Sequence, residues 1–448
     1  MAAVLAGRAG RRRFGRMDPD LPAGGGGFFP GLFSDLLRLL RTEGPLQWDL
    51  ALQLAHSVAG EGGADRNVDP VERIRLEELV RLADLAVADV TGMVTSTSGR
   101  TIGVVALAPP AWARRSLERW RPLLERVATA LAPSSPPAVA GPGEEAGGDL
   151  AAMLGQWTTA LAPAMTALQI GSVVGHLARR TLGQYDLPLP RPGDDELAVV
   201  PENARRFAED WSLDPVEVTL WLSVRDVATH AVLSRPHVAA RLERLLVEHA
   251  ARFRPDPSAL EERLGDLPGG GLGDLGELTR LLGDPTALTE VAETPELARI
   301  RRELEALGAV LGGYVEWVTD TAAARLVSSR ATIREAMRRR RVERGAEERV
   351  TEALFGLRLD QDQLDRGEAF VRGVLERGGH DELARLWMAE ASLPTPAEVD
   401  APGLWIERVN LPPDPPDPPD PAGEPGSASG PTGGPPAPPR EGQGPTRA

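Results

Sequence analysis

The chain is 448 residues long, carries a formal charge of −15 and contains no cysteine. Its length allows a large buried core and two or three domains by size alone. The lack of cysteine excludes a disulfide framework, a thiolate metal site and a cysteine nucleophile. The acidic balance argues against nucleic-acid binding, which needs a basic footprint, so no nucleic-acid partner is expected. Every basic residue is Arg, which reads as a signature of GC-rich coding and not of function.

The opening MAAVLAGRAGRRRFGR is basic, but its apolar stretch AAVLA precedes the charges. That stretch is also shorter than the roughly 7–15 apolar residues of a signal peptide. It reads as an extension ahead of Met17, and residues 1–30 as a flexible lead-in ending in Gly24 to Pro30. No run approaches the ~18 apolar residues that span a bilayer, so a cytoplasmic protein with no membrane partner is expected. Helical spacing then covers Leu32–Thr42, Leu46–Val58 and Pro70–Val90. Val94–Leu107 alternates around Ser98-Gly99 and predicts a β-hairpin. Pro110–Leu131 is helical and closes an N-terminal helical region, 31–132. Residues 133–148, rich in Pro and Gly, read as a linker to a main domain over 149–395.

The main domain opens with a helical pattern over Leu150–Leu182, in which Pro163 should kink or break the helix. Ala164, Ala167, Gly171 and Gly175 share a face that lets another helix come close. Leu197–Pro201 predicts a short strand. Helices follow over Asp214–Leu233, Val238–Ala251, Pro295–Arg325, Thr332–Arg344, Ala346–Gly356, Gln361–Arg377 and Asp381–Ala391. Residues 396–448 are assigned to a Pro-rich tail, in which the stretch after Leu411 lacks large apolar side chains and is expected to be disordered. Its DPPDPPDP repeat could meet a polyproline-reading domain, with a solubilising spacer as the default.

DPVEVTLWLSVRDVATHAVL, Asp214 to Leu233, carries the most information. Asp214 can cap the helix, Pro215 suits its first position, and Glu217 follows three residues after the cap. Val218, Trp221, Ala228 and Val232 fall on one side, and Leu220, Val224, Val227 and Ala231 on the adjoining arc. Such a helix should be buried, and its polar residues Arg225, Asp226, Thr229 and His230 then need partners or a cavity.

This stretch resembles the active-site helix of an actinobacterial zincin-like metallopeptidase family, whose pattern is an aromatic or Leu-rich turn followed by HExxH. GQYDLPLP (183–190), ELAVVPENARRFAEDWSLDPVEV (196–218), LGAVLGGYVEWVTD (307–320), GGGGFFPGLFSDLLRLL (24–40), LQWDLALQLA (46–55) and MRRRRVERGAEERVTEALFGLRLD (337–360) also resemble blocks of that family. The resemblance spans most of 24–395. It implies a mostly α, zincin-like helical domain with a short edge strand or small sheet, preceded by a helical N-terminal region. In zincins that edge strand lies over the metal helix and binds extended substrate.

The chemistry of HExxH needs imidazoles at i and i+4 on one face to share a zinc, and the Glu beside the first to activate its water. With Trp221 at the family's aromatic position, Arg225 falls on the first His, Asp226 on the Glu and Thr229 on the second His. Gly312 falls on the Glu of an EGxxD pattern that supplies the third ligand. The resemblance therefore implies lost zinc ligands, with Asp226 as a remnant of the general-base position. Arg225 would then need a carboxylate from Asp226, Glu316 or Asp320. The expected function is a non-catalytic descendant that binds a peptide or protein partner in the old groove, with no cofactor. The alternative is an active metal-dependent hydrolase using zinc at a shifted site, Asp226 and His230 with Glu316 or Asp320, on a stripe completed by Thr219 and Ser223. A third possibility is a structural or regulatory partner without a groove function. His237 and His249 read as surface or helix-packing residues, and Arg338 to Arg341 as a solvated face pairing with Glu335, Glu347 and Glu348.

Overall fold

The computed structural model describes residues 44–60, 68–131, 148–191, 193–253, 294–343, 355–357 and 360–411; in the helix that starts at 148, side chains are described from 163 onward. Helix α1 (Trp48–Gly60) packs along α4 (Gly148–Arg180) and α3 (Pro109–Leu131). The small-residue face of α4 makes this possible. A Cβ on Gly171 would lie 2.6 Å from the Ala51 carbonyl oxygen, and one on Gly175 would lie 2.7 Å from the Val58 Cβ. The expected break at Pro163 does not occur, and α4 runs through it as one helix. One lost i→i−4 bond is small beside the packing of the following turns on α1 and α3.

Helix α2 (Pro70–Thr91) starts where the Asp69 carboxylate accepts the Val71 N–H, and ends at Gly92, whose φ of +65° is left-handed. The alternating segment beyond it is no hairpin. Gly103–Ala106 forms strand β1, paired in parallel with β2 (Glu196–Val199), Gly103 opposite Glu196 and Ala106 opposite Val199. Alternation marks a strand but does not name its partner, which here lies on the far side of the 133–148 segment. The Thr97 and Ser98 N–H groups donate to the Asp195 carboxylate at 2.7 and 2.8 Å, so the turn before β1 closes on the turn before β2.

Helix α5 (Pro201–Asp210), α6 (Pro215–Leu233) and α7 (Pro236–Arg252) follow, and then α8 (Pro295–Ala323), α9 (Arg330–Val342) and α10 (Gln361–Ala384). Helix α2 packs on α6, and α3 on α7. Helices from both sides of 133–148 thus share one core, and Pro/Gly composition there marks a connection within one compact unit that runs to Val409. Helices α8 and α10 meet at Gly313 and Gly367, where a Cβ on Gly367 would sit 1.7 Å from the Ala309 carbonyl oxygen. Gly379, at φ +72°, interrupts α10 between the two helical patterns read there.

Residues 396–410 are not tail. They form α11 (Pro396–Asp400) and α12 (Pro402–Asn410), and Trp405 is fully buried, edge-on to Phe370 at 5.6 Å. The prolines that suggest an unstructured segment begin these helices, where a missing N–H costs nothing. The expected helices Leu32–Thr42 and most of Ala346–Gly356, the 1–30 extension and the tail after Leu411 lie outside the described residues. The fold is mostly α with a two-stranded sheet. Among the described residues no helix is long and apolar enough to cross a membrane.

Candidate functional site

Helix α6 is the axis of the site. The Asp214 carboxylate accepts the Val216 and Glu217 N–H groups at 2.8 and 2.9 Å, and Pro215 occupies the first turn. Val218, Trp221, Val224, Val227, Ala228, Ala231 and Val232 are all buried. Glu217 does not close a capping box. Its carboxylate accepts the Ser328 and Ser329 N–H groups at 3.2 and 2.8 Å together with both hydroxyls, which pull its pKa down to about 2. That clasp fixes the start of α9 against α6.

Two polar stripes remain on α6, one turn long each and about 100° apart. The first holds Arg225 and Thr229. The Arg225 guanidinium pairs with Asp186 at 3.4 Å, and so does Arg340 from α9, also at 3.4 Å. Arg340 further donates to the Arg180 carbonyl at 2.6 Å, and the Leu182 N–H donates to Asp186 at 2.9 Å. Burial alone would raise the Asp186 pKa, but Arg340 and then Arg225 hold it below its ordinary value. The carboxylate that answers Arg225 is thus Asp186, and none of Asp226, Glu316 and Asp320. The Thr229 hydroxyl donates to the Arg225 carbonyl at 2.8 Å and is spent on its own helix. On α8, a Cβ at Gly312 would meet only Leu364 Cδ1, at 3.1 Å. Glu316, 3 % exposed, is paired with Arg341 of α9.

The second stripe, Asp226 and His230, points into the fold. The Gln184 and Tyr185 N–H groups donate to the Asp226 carboxylate at 2.7 and 3.4 Å. Gly183 leaves room for it, since a Cβ there would lie 2.1 Å from Asp226 Oδ2. Burial pushes the Asp226 pKa up to about 6. Both nitrogens of His230 are engaged. The Tyr185 hydroxyl lies 2.8 Å from Nδ1, and Asp195 Oδ1 lies 3.4 Å from Nε2. Burial lowers the His230 pKa and raises that of the Tyr185 phenol. The neutral ring then accepts from the phenol at Nδ1 and carries its proton at Nε2, facing the carboxylate. Thr219 and Ser223 return their hydroxyls to the Pro215 and Thr219 carbonyls.

The shifted metal site is not assembled. Glu316 belongs to Arg341, Asp320 sits at the surface 3.5 Å from Arg330, and no group of three His, Asp or Glu that could hold a metal occurs among the described residues. Strand β2 is sealed as well. Leu197, Ala198 and Val199 are buried, and the Ala198 N–H donates to Gln184 Oε1 at 2.9 Å. Of the arginine run, Arg339 pairs with Glu335 at 2.8 Å as a solvated face should, whereas Arg340 and Arg341 turn inward. Their spacing carried a signal, because Ile333, Ala336 and Met337 are buried and positions 340 and 341 continue that stripe. Tyr185 and Asp186 fall in the GQYDLPLP block that the resemblance marks, but no local pattern names their partners, and Asp195 carried no signal. His249 is buried on α7 with its pKa lowered to about 4 by burial and Arg301, and it packs 6.0 Å from Phe253.

The comparisons with known proteins bear on this geometry. A crystal structure of a protein from Chloroflexus aurantiacus, described provisionally as a hydrolase with a novel fold, superposes with a TM-score of 0.53 at 20 % identity. The match covers 82 % of this chain and 99 % of that one, and shows a shared fold. No curated protein is significantly similar. The family model described as zincin-like metallopeptidase matches residues 46–406, from the start of α1 through most of α12. The chain belongs to the zincin-like metallopeptidase family.

Proposed function

We propose that this chain is a non-catalytic member of its family, in which the surface around Arg225 and Arg340 binds an acidic peptide segment or protein partner. The observation that carries the reading is the ion pairing of Arg225 with Asp186 at a position that the resemblance aligns with a zinc-binding imidazole. An Arg is a permanent cation, the Thr229 hydroxyl is committed to a helix carbonyl, and Gly312 offers no side chain. This donor set does not fit a zinc ion, which needs thiolate, imidazole or carboxylate ligands. Asp226, held by two backbone N–H groups, is withdrawn from the general-base role. No hydrolytic step follows from such a site, and no cofactor is expected.

What supports binding is the charge left over. Among the described residues, Arg225 and Arg340 pair with the same carboxylate, Asp186, and keep 18 % and 23 % exposure. A partner carboxylate would find two guanidinium groups that share a single internal counter-charge. Elemental analysis of the purified protein tests the reading, with no stoichiometric zinc expected. About one tightly held zinc per chain would overturn it. The complementary variant, Arg225→His, Thr229→His and Gly312→Glu together, should gain zinc affinity in a calorimetric titration. A folded triple variant without that gain would remove the claim of a vacated site.

A further inference from the structure

A second arginine cluster lies elsewhere on the molecule. Arg241 of α7 and Arg299 and Arg302 of α8 line a cavity of about 380 Å³, closed on its other side by the segment Leu393–Pro396. Glu303 accepts from both Arg241 and Arg299, so one carboxylate holds two guanidinium groups in place. Glu390, also on the wall, is taken by Arg244 at 2.5 Å. Arg302 has no ionic or hydrogen-bonding partner among the described residues. Three guanidinium groups and two carboxylates therefore line the cavity, and one of those carboxylates is already held by Arg244 from outside it, which leaves a positive excess in a concavity of a chain whose formal charge is −15. Leu307 of α8 and Leu393 add apolar lining beside these charges.

We propose that this cavity binds a small organic dianion, a phosphomonoester or a dicarboxylate, with its charged head on Arg302, Arg299 and Arg241 and its apolar body on Leu307 and Leu393. Its size lies within the range of small-molecule sites, and the guanidinium fork suits paired oxygens. The simpler account, an ion network satisfied within the protein, leaves Arg302 without a purpose and the charge excess unanswered. The proposal is independent of the reading of α6 as a vacated metal site, and no residue is shared between them.

Isothermal titration of the full-length protein with phenyl phosphate, phthalate and inorganic phosphate tests it and separates the two head groups. One-site binding of phenyl phosphate or phthalate, at least about tenfold tighter than inorganic phosphate, is expected, since a tenfold difference needs only one modest apolar contact. Arg302→Ala should weaken that binding by about tenfold or more and Arg302→Glu should abolish it, while Arg205→Ala, a surface pair on α5, should leave it unchanged. Circular dichroism shows whether each variant is folded, and Arg302 is exposed enough to be replaced safely. No saturable binding of either organic probe, or parental affinity in both Arg302 variants, overturns the site. Equal affinity for inorganic and phenyl phosphate overturns the role given to the apolar lining.

Discussion

The two stripes of α6 start from adjacent residues and end in opposite electrostatic regimes. Arg225 shares the Asp186 carboxylate with Arg340 at the partly open side. Asp226, one residue on, is 3 % exposed, faces backbone N–H groups, and has its ionised form disfavoured by burial. A carboxylate among guanidinium groups is held ionised, while one buried in a dry interior is pushed toward its neutral form even where amide N–H groups favour its charge. A rotation of about 100° along one helix is enough to separate a site available to a charged partner from one that serves the core.

The largest expected effect tests the inner stripe through its neighbour. Gly183→Ala would place a methyl group 2.1 Å from Asp226 Oδ2, so the carboxylate must leave its two donors. Overpacking and unpaired buried groups together should cost about 4 kcal/mol. Urea unfolding measures it, and a loss under about 1 kcal/mol would mean that the carboxylate has another place to go.

Next comes the pH dependence of Asp226. Its pKa is raised from 3.8 to about 6, so the folded chain holds this proton more tightly than the unfolded one. Stability then falls as pH rises through that interval, and the cost persists above it. The interval corresponds to about 3 kcal/mol at 1.36 kcal/mol per pH unit. Asp226→Asn lacks the titration, so its stability relative to the parent should rise by up to that amount between about pH 4 and pH 7. Groups common to both proteins cancel in the difference. A difference independent of pH would show an ordinary carboxylate.

Legibility in the sequence followed how local each cause was. The cap at Asp214, the apolar arc of α6 and the small-residue face of α4 depend on spacing within a few turns, and each is found where its spacing predicts. The counter-charge of Arg225 sits 39 positions upstream in a loop, and Arg340 reaches the same carboxylate across 154 positions. No local pattern encodes such meetings. β1 was legible as a strand, but its parallel partner was not, because pairing across the 133–148 segment is a property of the folded core. α11 and α12 were obscured by composition, since their prolines begin helices and the burial of Trp405 against Phe370 is a contact between distant residues.

The outer stripe is probed by Asp186→Asn, which keeps an acceptor for the Leu182 N–H while removing the charge shared by Arg225 and Arg340. Fully buried pairs lose about 3–5 kcal/mol when broken, and the partial exposure of both arginines reduces this to about 2 kcal/mol. The loss should shrink in 1 M salt, where the screening length falls to about 3 Å. The Asp226 effect, set by burial, should respond little to salt. Equal salt sensitivity of the two variants would erase the contrast between the stripes.

The smallest effect belongs to Thr229, on the same stripe as Arg225. Its hydroxyl contacts the Arg225 carbonyl at 2.8 Å, one turn back along its own helix. That carbonyl already accepts within the helical ladder, so the hydroxyl is a second, local partner that adds little. Thr229→Val keeps the branched shape, and the position is 4 % exposed among apolar neighbours. Stability should change by less than about 0.5 kcal/mol in either direction, the gain in burial offsetting the lost bond. A loss above about 1.5 kcal/mol would mean that the hydroxyl holds a partner beyond its helix, and that the outer stripe is a second polar network instead of one ion cluster beside an idle position.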